Sequence, residues 1–163
     1  MQSGYLTYKE TIKLVNTSLT EILKNSNLFN SVIRGYPEDV KIFKGIVATT
    51  AVMGIGFENF MGEQNIPNTL KTFLGVVVRG TKTTAHDKTL EISLDVLDKF
   101  QNDATWKTLD GTVRNTLITN FNMFPERNKK MNLFFTTGLF ELEHHILRHR
   151  KEVVIEEEEG SIE

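Results

Sequence analysis

Glu141, His145 and His149 recur at four-residue intervals near the end of the chain, and a carboxylate with two imidazoles is a set that can hold a divalent cation. On a helix the three side chains fall on one face and converge on one ion. On a strand they also share a side but spread over about 26 Å at roughly 3.3 Å per residue, too far for one metal. The secondary structure of residues 139–151 therefore decides whether this chemistry is available. Phe140, Leu142, His144 and Ile146 alternate with Glu141, Glu143, His145 and Leu147, and Asn132 to Thr137 lead into them. The reading is a strand, although Leu139, Leu142 and Ile146 could also line a helix. As a strand, Glu141, Glu143, His145 and His149 form a wet face, with His144 partly buried and hydrogen-bonded.

Other constellations carry less. Thr83 and Thr84 stand beside His86 and Asp87, so a hydroxyl nucleophile with a base can be drawn, but adjacent loop residues seldom hold that geometry and no third orienting group is visible. The run from Gly75 to Gly80 lacks the glycine spacing and lysine of a phosphate loop. Gly54-Ile55-Gly56 lacks the third glycine of a dinucleotide site. The sequence gives catalysis no positive support, and no cofactor or metal is expected.

The elements that must position these residues begin with a capping box, Thr7 followed by Glu10. Ile12, Val15, Leu19, Ile22 and Leu23 follow at helical spacing, which predicts an amphipathic helix from Thr7 to Leu28, ending in the polar Asn25-Ser26-Asn27. Gly35-Tyr36-Pro37 marks a turn. Ile42 to Phe60 is ambiguous, with Ile46 to Thr50 favouring a strand and Gly54 and Gly56 opposing a long helix. From Leu74 to Leu97 the expectation is two strands joined by a polar loop. Val76 to Val78 form a buried strand, Gly80 to Lys88 a solvated loop, and Leu90, Ile92, Leu94 and Val96 the inward positions of an alternating strand.

Trp106, Leu109, Val113, Leu117 and Phe121 predict a second amphipathic helix over Thr105 to Phe121, with Gly111 a tolerated weakness. A loop runs from Pro125 through Lys130, and Met123 and Phe124 plug the core beside it. The predicted order is helix, strand, hairpin, helix, strand: an α+β domain with an antiparallel or mixed sheet and two main amphipathic helices packed on one face.

Composition excludes whole classes. The chain has 163 residues, 39% of them apolar and 25% charged, which suits one ordinary domain that buries about 70% of its unfolded surface without staples. Absence of cysteine removes zinc fingers, thiol nucleophiles and disulfide scaffolds, and fits a reducing compartment. No signal-like N-terminus or apolar run of roughly 18 residues is present, so the expectation is a protein made and used in water, with no membrane partner. Setting aside the five acids of Glu156 to Glu163 leaves 19 basic against 16 acidic residues. This mild excess, densest at Arg148, Arg150 and Lys151, argues against a dedicated nucleic-acid binder. Residues 1–151 read as the domain and 152–163 as an acidic, disordered tail.

The N-terminal helix, the Gly-Tyr-Pro turn into a strand, the segment TLEISLDVLDKF over Thr89 to Phe100, a second helix, and the closing GLFELEHHILRHRK from Gly138 to Lys151 together resemble the tail-terminator or tail-completion proteins of long-tailed bacteriophages. The resemblance covers about Thr7 to Lys151 and rests on order and alternation, not on invariant chemical residues. It implies a non-enzymatic ring subunit of the virion neck, in a homo-oligomeric ring of six. That ring would cap the tail tube protein, stop tube growth and meet the head-side connector or stopper protein, having been assembled in the host cytoplasm. Subunit contacts would come from Lys82, Thr83, Thr84, His86, Asp87 and Lys88 and from Phe57 to Asn68, including Phe60 and Met61. Lys82 and Lys88 would face DNA in the channel without sequence specificity. Another connector ring is the nearest alternative, and a small metal-dependent enzyme using Glu141, His145 and His149 the one from a different class.

Overall fold

The computed structural model describes residues 4–36, 45–60, 64–128 and 133–151. Helix α1 (Tyr8–Asn25) opens on the expected capping box, in which the Thr7 side chain accepts from the Glu10 amide and the Glu10 carboxylate accepts from the Thr7 amide, each at 3.1 Å. It buries Val15, Leu19, Ile22 and Leu23 and stops at Asn25, before Leu28, because Ser26 turns its hydroxyl onto the Leu23 carbonyl and Asn27 adopts a left-handed conformation.

Five strands form one mixed sheet in the order β1-β2-β3-β5-β4: β1 (Ser31–Arg34), β2 (Ile46–Phe60), β3 (Gln64–Gly80), β4 (Val113–Asn128) and β5 (Leu133–Ile146). β1 runs parallel to β2 and every other pairing is antiparallel. Helix α2 (Lys82–Asn102) and a single turn, α3 (Ala104–Lys107), connect β3 to β4. The architecture is α+β. Ala48, Leu70, Leu74, Val76, Val78, Phe140 and Leu142 bury one sheet face beneath Val15, Leu19 and Leu23 of α1 and Ile92, Val96 and Phe100 of α2, in one core cluster. Each such aliphatic or aromatic side chain contributes about 1.5–3 kcal/mol through burial.

Two segments depart from expectation. The alternating run from Leu90 to Val96 is not a strand but the middle of α2, and Gly80 to Lys88 is not a loop. Thr81 caps the helix: its hydroxyl accepts from the Thr84 amide at 3.2 Å, and the Thr84 hydroxyl accepts from the Thr81 amide at 3.0 Å. The buried side is Ala85, Thr89, Ile92, Ser93, Val96 and Phe100, a helical period whose Thr and Ser read as wet positions. Leu90 and Leu94, placed inward by the alternation, are 37% and 50% exposed.

The second difference is the helix expected over Thr105 to Phe121. Only α3 forms, since Leu109, Asp110 and Gly111 all take positive φ (46°, 58° and 83°) and reverse the chain, after which β4 begins at Val113. Pro125 to Asn128 continue β4 instead of forming a loop. β4 is an edge strand, where proline's missing N–H removes no ladder bond, and Phe124, at 47% exposure, does not plug the core. The expected element order therefore lacked β1 and misassigned both connections around α2. Residues 37–44, 61–63, 129–132 and 152–163, including Pro37, Met61, Lys129, Lys130 and the acidic tail, lie outside the described residues.

Candidate functional site

The strand reading for the end of the chain holds, and it separates the candidate metal ligands. Glu141 and His145 lie on β5 about 13 Å apart along the strand at roughly 3.3 Å per residue. His149 falls beyond the strand and points Nε2 at the Thr112 carbonyl oxygen, 3.0 Å away. Among the described residues no three His, Asp or Glu side chains cluster in a way that could hold a metal ion.

His144 is hydrogen-bonded, as expected, and more deeply buried than expected. It is fully buried, and its two ring nitrogens each lie 2.8 Å from a threonine hydroxyl, Nε2 from Thr72 on β3 and Nδ1 from Thr116 on β4. Burial pushes its pKa down to about 4, so the ring is neutral near pH 7: one nitrogen donates and the other accepts. It ties three neighbouring strands together from within the core.

The residues expected to form a contact loop occupy the first two turns of α2. Thr83, His86, Asp87 and Lys88 are exposed, Thr84 is engaged in the cap, and Lys88 pairs with Glu91 at 3.6 Å. His86 Nδ1 and Asp87 Oδ1 lie 3.4 Å apart on the surface, and Thr83 and Thr84 have no oriented base. Lys82 opens the helix and Phe60 closes β2; the structure describes neither side chain. One recess between helices, about 470 Å³, lies among Thr17, Glu21 and Asn25 of α1, Lys99 of α2, Asp103 and Trp106. It is open to solvent and lined about equally by polar and apolar groups.

Surface architecture is more distinctive than any pocket. β3 pairs with β5 only from Thr69 to Gly80, and β1 covers β2 only from Val47 to Thr50, yet β2 and β3 stay paired out to Phe60 and Gln64. The far half of this hairpin is a two-stranded arm, bent by bulges after Val52 and Gly56. Phe57 and Ile66 are exposed on the arm, Phe57 to 58%, and Met53 and Ile55 are exposed on the stretch of β2 leading to it, beyond β1, where β3 is still paired with β5. The segment from Phe57 to Asn68, expected to make subunit contacts, forms strand on both sides of residues 61–63, a structure not assigned to it from the sequence. At the other edge, β4 carries bulges between Val113 and Asn115 and between Ile118 and Asn120, followed by Pro125, which interrupt any long pairing with another strand.

No known protein family matches this chain, and no curated protein shows significant similarity to it.

Proposed function

We propose that this protein is a non-enzymatic assembly subunit that forms a homo-oligomeric ring, capping the tail tube of a long-tailed bacteriophage and joining it to the head-side connector. The observation that carries the reading is the β2–β3 arm with the uncovered edge of β2 that leads to it, where Phe57 and Ile66 on the arm and Met53 and Ile55 on the edge are exposed. Apolar side chains on a projecting hairpin suit a contact with a neighbouring molecule, and a heterologous contact repeated around an axis closes into a ring. The interrupted edge of β4 fits an assembly built on faces and an arm instead of on one endless sheet.

The resemblance to tail terminators now rests on less of the chain. Helix α1 and a closing strand, β5, are present, whereas TLEISLDVLDKF is helix α2 itself and not a strand running into a helix, most of the expected second helix is strand β4, and the Gly35-Tyr36-Pro37 turn runs into residues outside the described ones. Another connector or stopper ring uses the same architecture, so the experiment must report on tube growth. Electron microscopy of the protein incubated with preformed tail tubes is expected to show one added ring at one end and no further growth there. Folded protein that leaves tube ends bare and growth unchanged would remove the terminator reading.

A further inference from the structure

The outward side of α2 is an unpartnered helix face with two adjoining stripes. Leu90 and Leu94 lie four residues apart and are exposed at 37% and 50%. Asp87, Glu91, Asp95 and Asp98 follow at four-, four- and three-residue spacing and are all exposed, forming an acidic stripe beside the leucines along three turns of helix. The sheet-facing side is already filled by Ala85, Ile92, Val96 and Phe100, so the leucines are surplus to the core. Exposed apolar residues rimmed by charge are the composition of a protein contact, not of an ordinary solvated helix.

The same chain carries the complement. Where the two ends of the described chain meet, Leu6 N donates to His149 O and Lys151 N to Gly4 O, each at 2.8 Å. On that clasp the guanidinium groups of Arg148 and Arg150 lie 5.8 and 5.7 Å from the centre of the Tyr5 ring, and Arg150 and Lys151 are exposed. Tyrosine and arginine are the residues most concentrated at the centres of protein interfaces.

We infer that the acidic, leucine-bearing face of α2 docks onto the Tyr5–Arg150–Lys151 surface of a second copy of this chain. The two patches differ from each other, so the contact is head-to-tail and propagates around a ring. This rests on the ring reading and names the surface that joins neighbours within it. Charge complementarity steers the encounter and weakens with salt, while Leu90 and Leu94 supply a component that salt does not screen.

The test uses the full chain and two surface variants, Asp95→Lys with Asp98→Lys, and Arg150→Glu with Lys151→Glu. Association is followed by sedimentation and cross-linking up to several hundred micromolar at low and high salt, and melting curves confirm that both variants are folded. Wild type is expected to self-associate, each variant to do so at least about tenfold more weakly, and an equimolar mixture of the two to recover association, because unlike subunits then meet with opposite charges at every contact. Variants that associate like wild type, a mixture that stays dissociated, or a wild type that is monomeric throughout overturns the inference. Tube capping separates this from the ring reading. Charge variants that cap tubes normally sink the α2 contact and leave the ring; rescue by mixing without any capping by wild type keeps the contact and removes the terminator.

Discussion

His144 Nε2 lies 2.8 Å from the hydroxyl of Thr72 on the neighbouring strand, inside a core where the imidazole has no contact with water. Burial lowers the folded-state pKa to about 4 from the ordinary 6.5. The unfolded chain therefore takes up this proton first as pH falls. The contribution of neutral His144 to stability is fully present above about pH 6.5 and is lost progressively down to about pH 4, a difference of ~3 kcal/mol. Urea unfolding between pH 7 and pH 4 should show this acid loss in wild type and a clearly shallower slope in His144→Gln, which cannot titrate. Equal slopes would mean that the ring is solvated or already charged.

Gly138 on β5 sits directly beneath α2. A Cβ there would come 2.6 Å from Ser93 Oγ, 3.0 Å from the Phe121 ring and 3.2 Å from the Thr89 methyl. Gly138→Ala is expected to cost about 1–3 kcal/mol through overpacking. Because the nearest atom is a hydroxyl that has no hydrogen-bond partner among the described residues, removing it with Ser93→Ala should return part of that loss. A double-mutant cycle by chemical denaturation checks this, with a favourable coupling of about 1 kcal/mol expected and strict additivity arguing against the close helix–sheet approach.

The cap of α2 is equally open to measurement. Thr81→Ala removes the acceptor for the Thr84 amide and should destabilise the protein by about 1 kcal/mol, with the loss of helical ellipticity confined to one turn. An effect near zero would fit a solvated loop at this position instead of a helix start.

The two caps show why part of the fold could be read from residues alone. Thr7 and Glu10 form the common box, with a carboxylate three residues after the hydroxyl, and Val15, Leu19, Ile22 and Leu23 then mark the buried side of α1 alongside buried Thr11 and Thr20. Thr81 does the same work with Thr84 as its partner, a much rarer signal, and α2 fills two of its inward positions with Thr89 and Ser93. α1 also buries two threonines, so what hid the period of α2 is that exposed Leu90 and Leu94 alternate with buried Ile92 and Val96 and so imitate a strand. The Trp106 to Phe121 spacing erred the other way. Trp106 and Leu109 are buried by α3 and its turn, Val113 by a strand, and Leu117 is exposed, so a helical period arose by chance across three different elements. Closing strand β5 was legible because its apolar positions face the core at a true period of two. The strands of the arm were not read from the sequence, since exposed apolar side chains look the same in sequence as buried ones.

Arg148 fastens the two ends of the described chain to one another. Its guanidinium lies 4.2 Å from the centre of the Tyr8 ring and donates from a terminal nitrogen to the Leu6 carbonyl at 2.7 Å, bracing a segment otherwise held by the Leu6–His149 and Lys151–Gly4 backbone bonds and the Tyr5–Arg150 bridge. Lysine cannot reproduce a planar stack together with a directed hydrogen bond, so Arg148→Lys should behave nearly like Arg148→Ala. In hydrogen exchange, protection of the Leu6 and Lys151 amides should fall about tenfold in both variants, while amides of β3 and β5 in the core keep theirs, as expected of a local opening. Loss confined to the alanine variant would show that charge alone holds the clasp. Loss spread through the sheet would make Arg148 part of the global core.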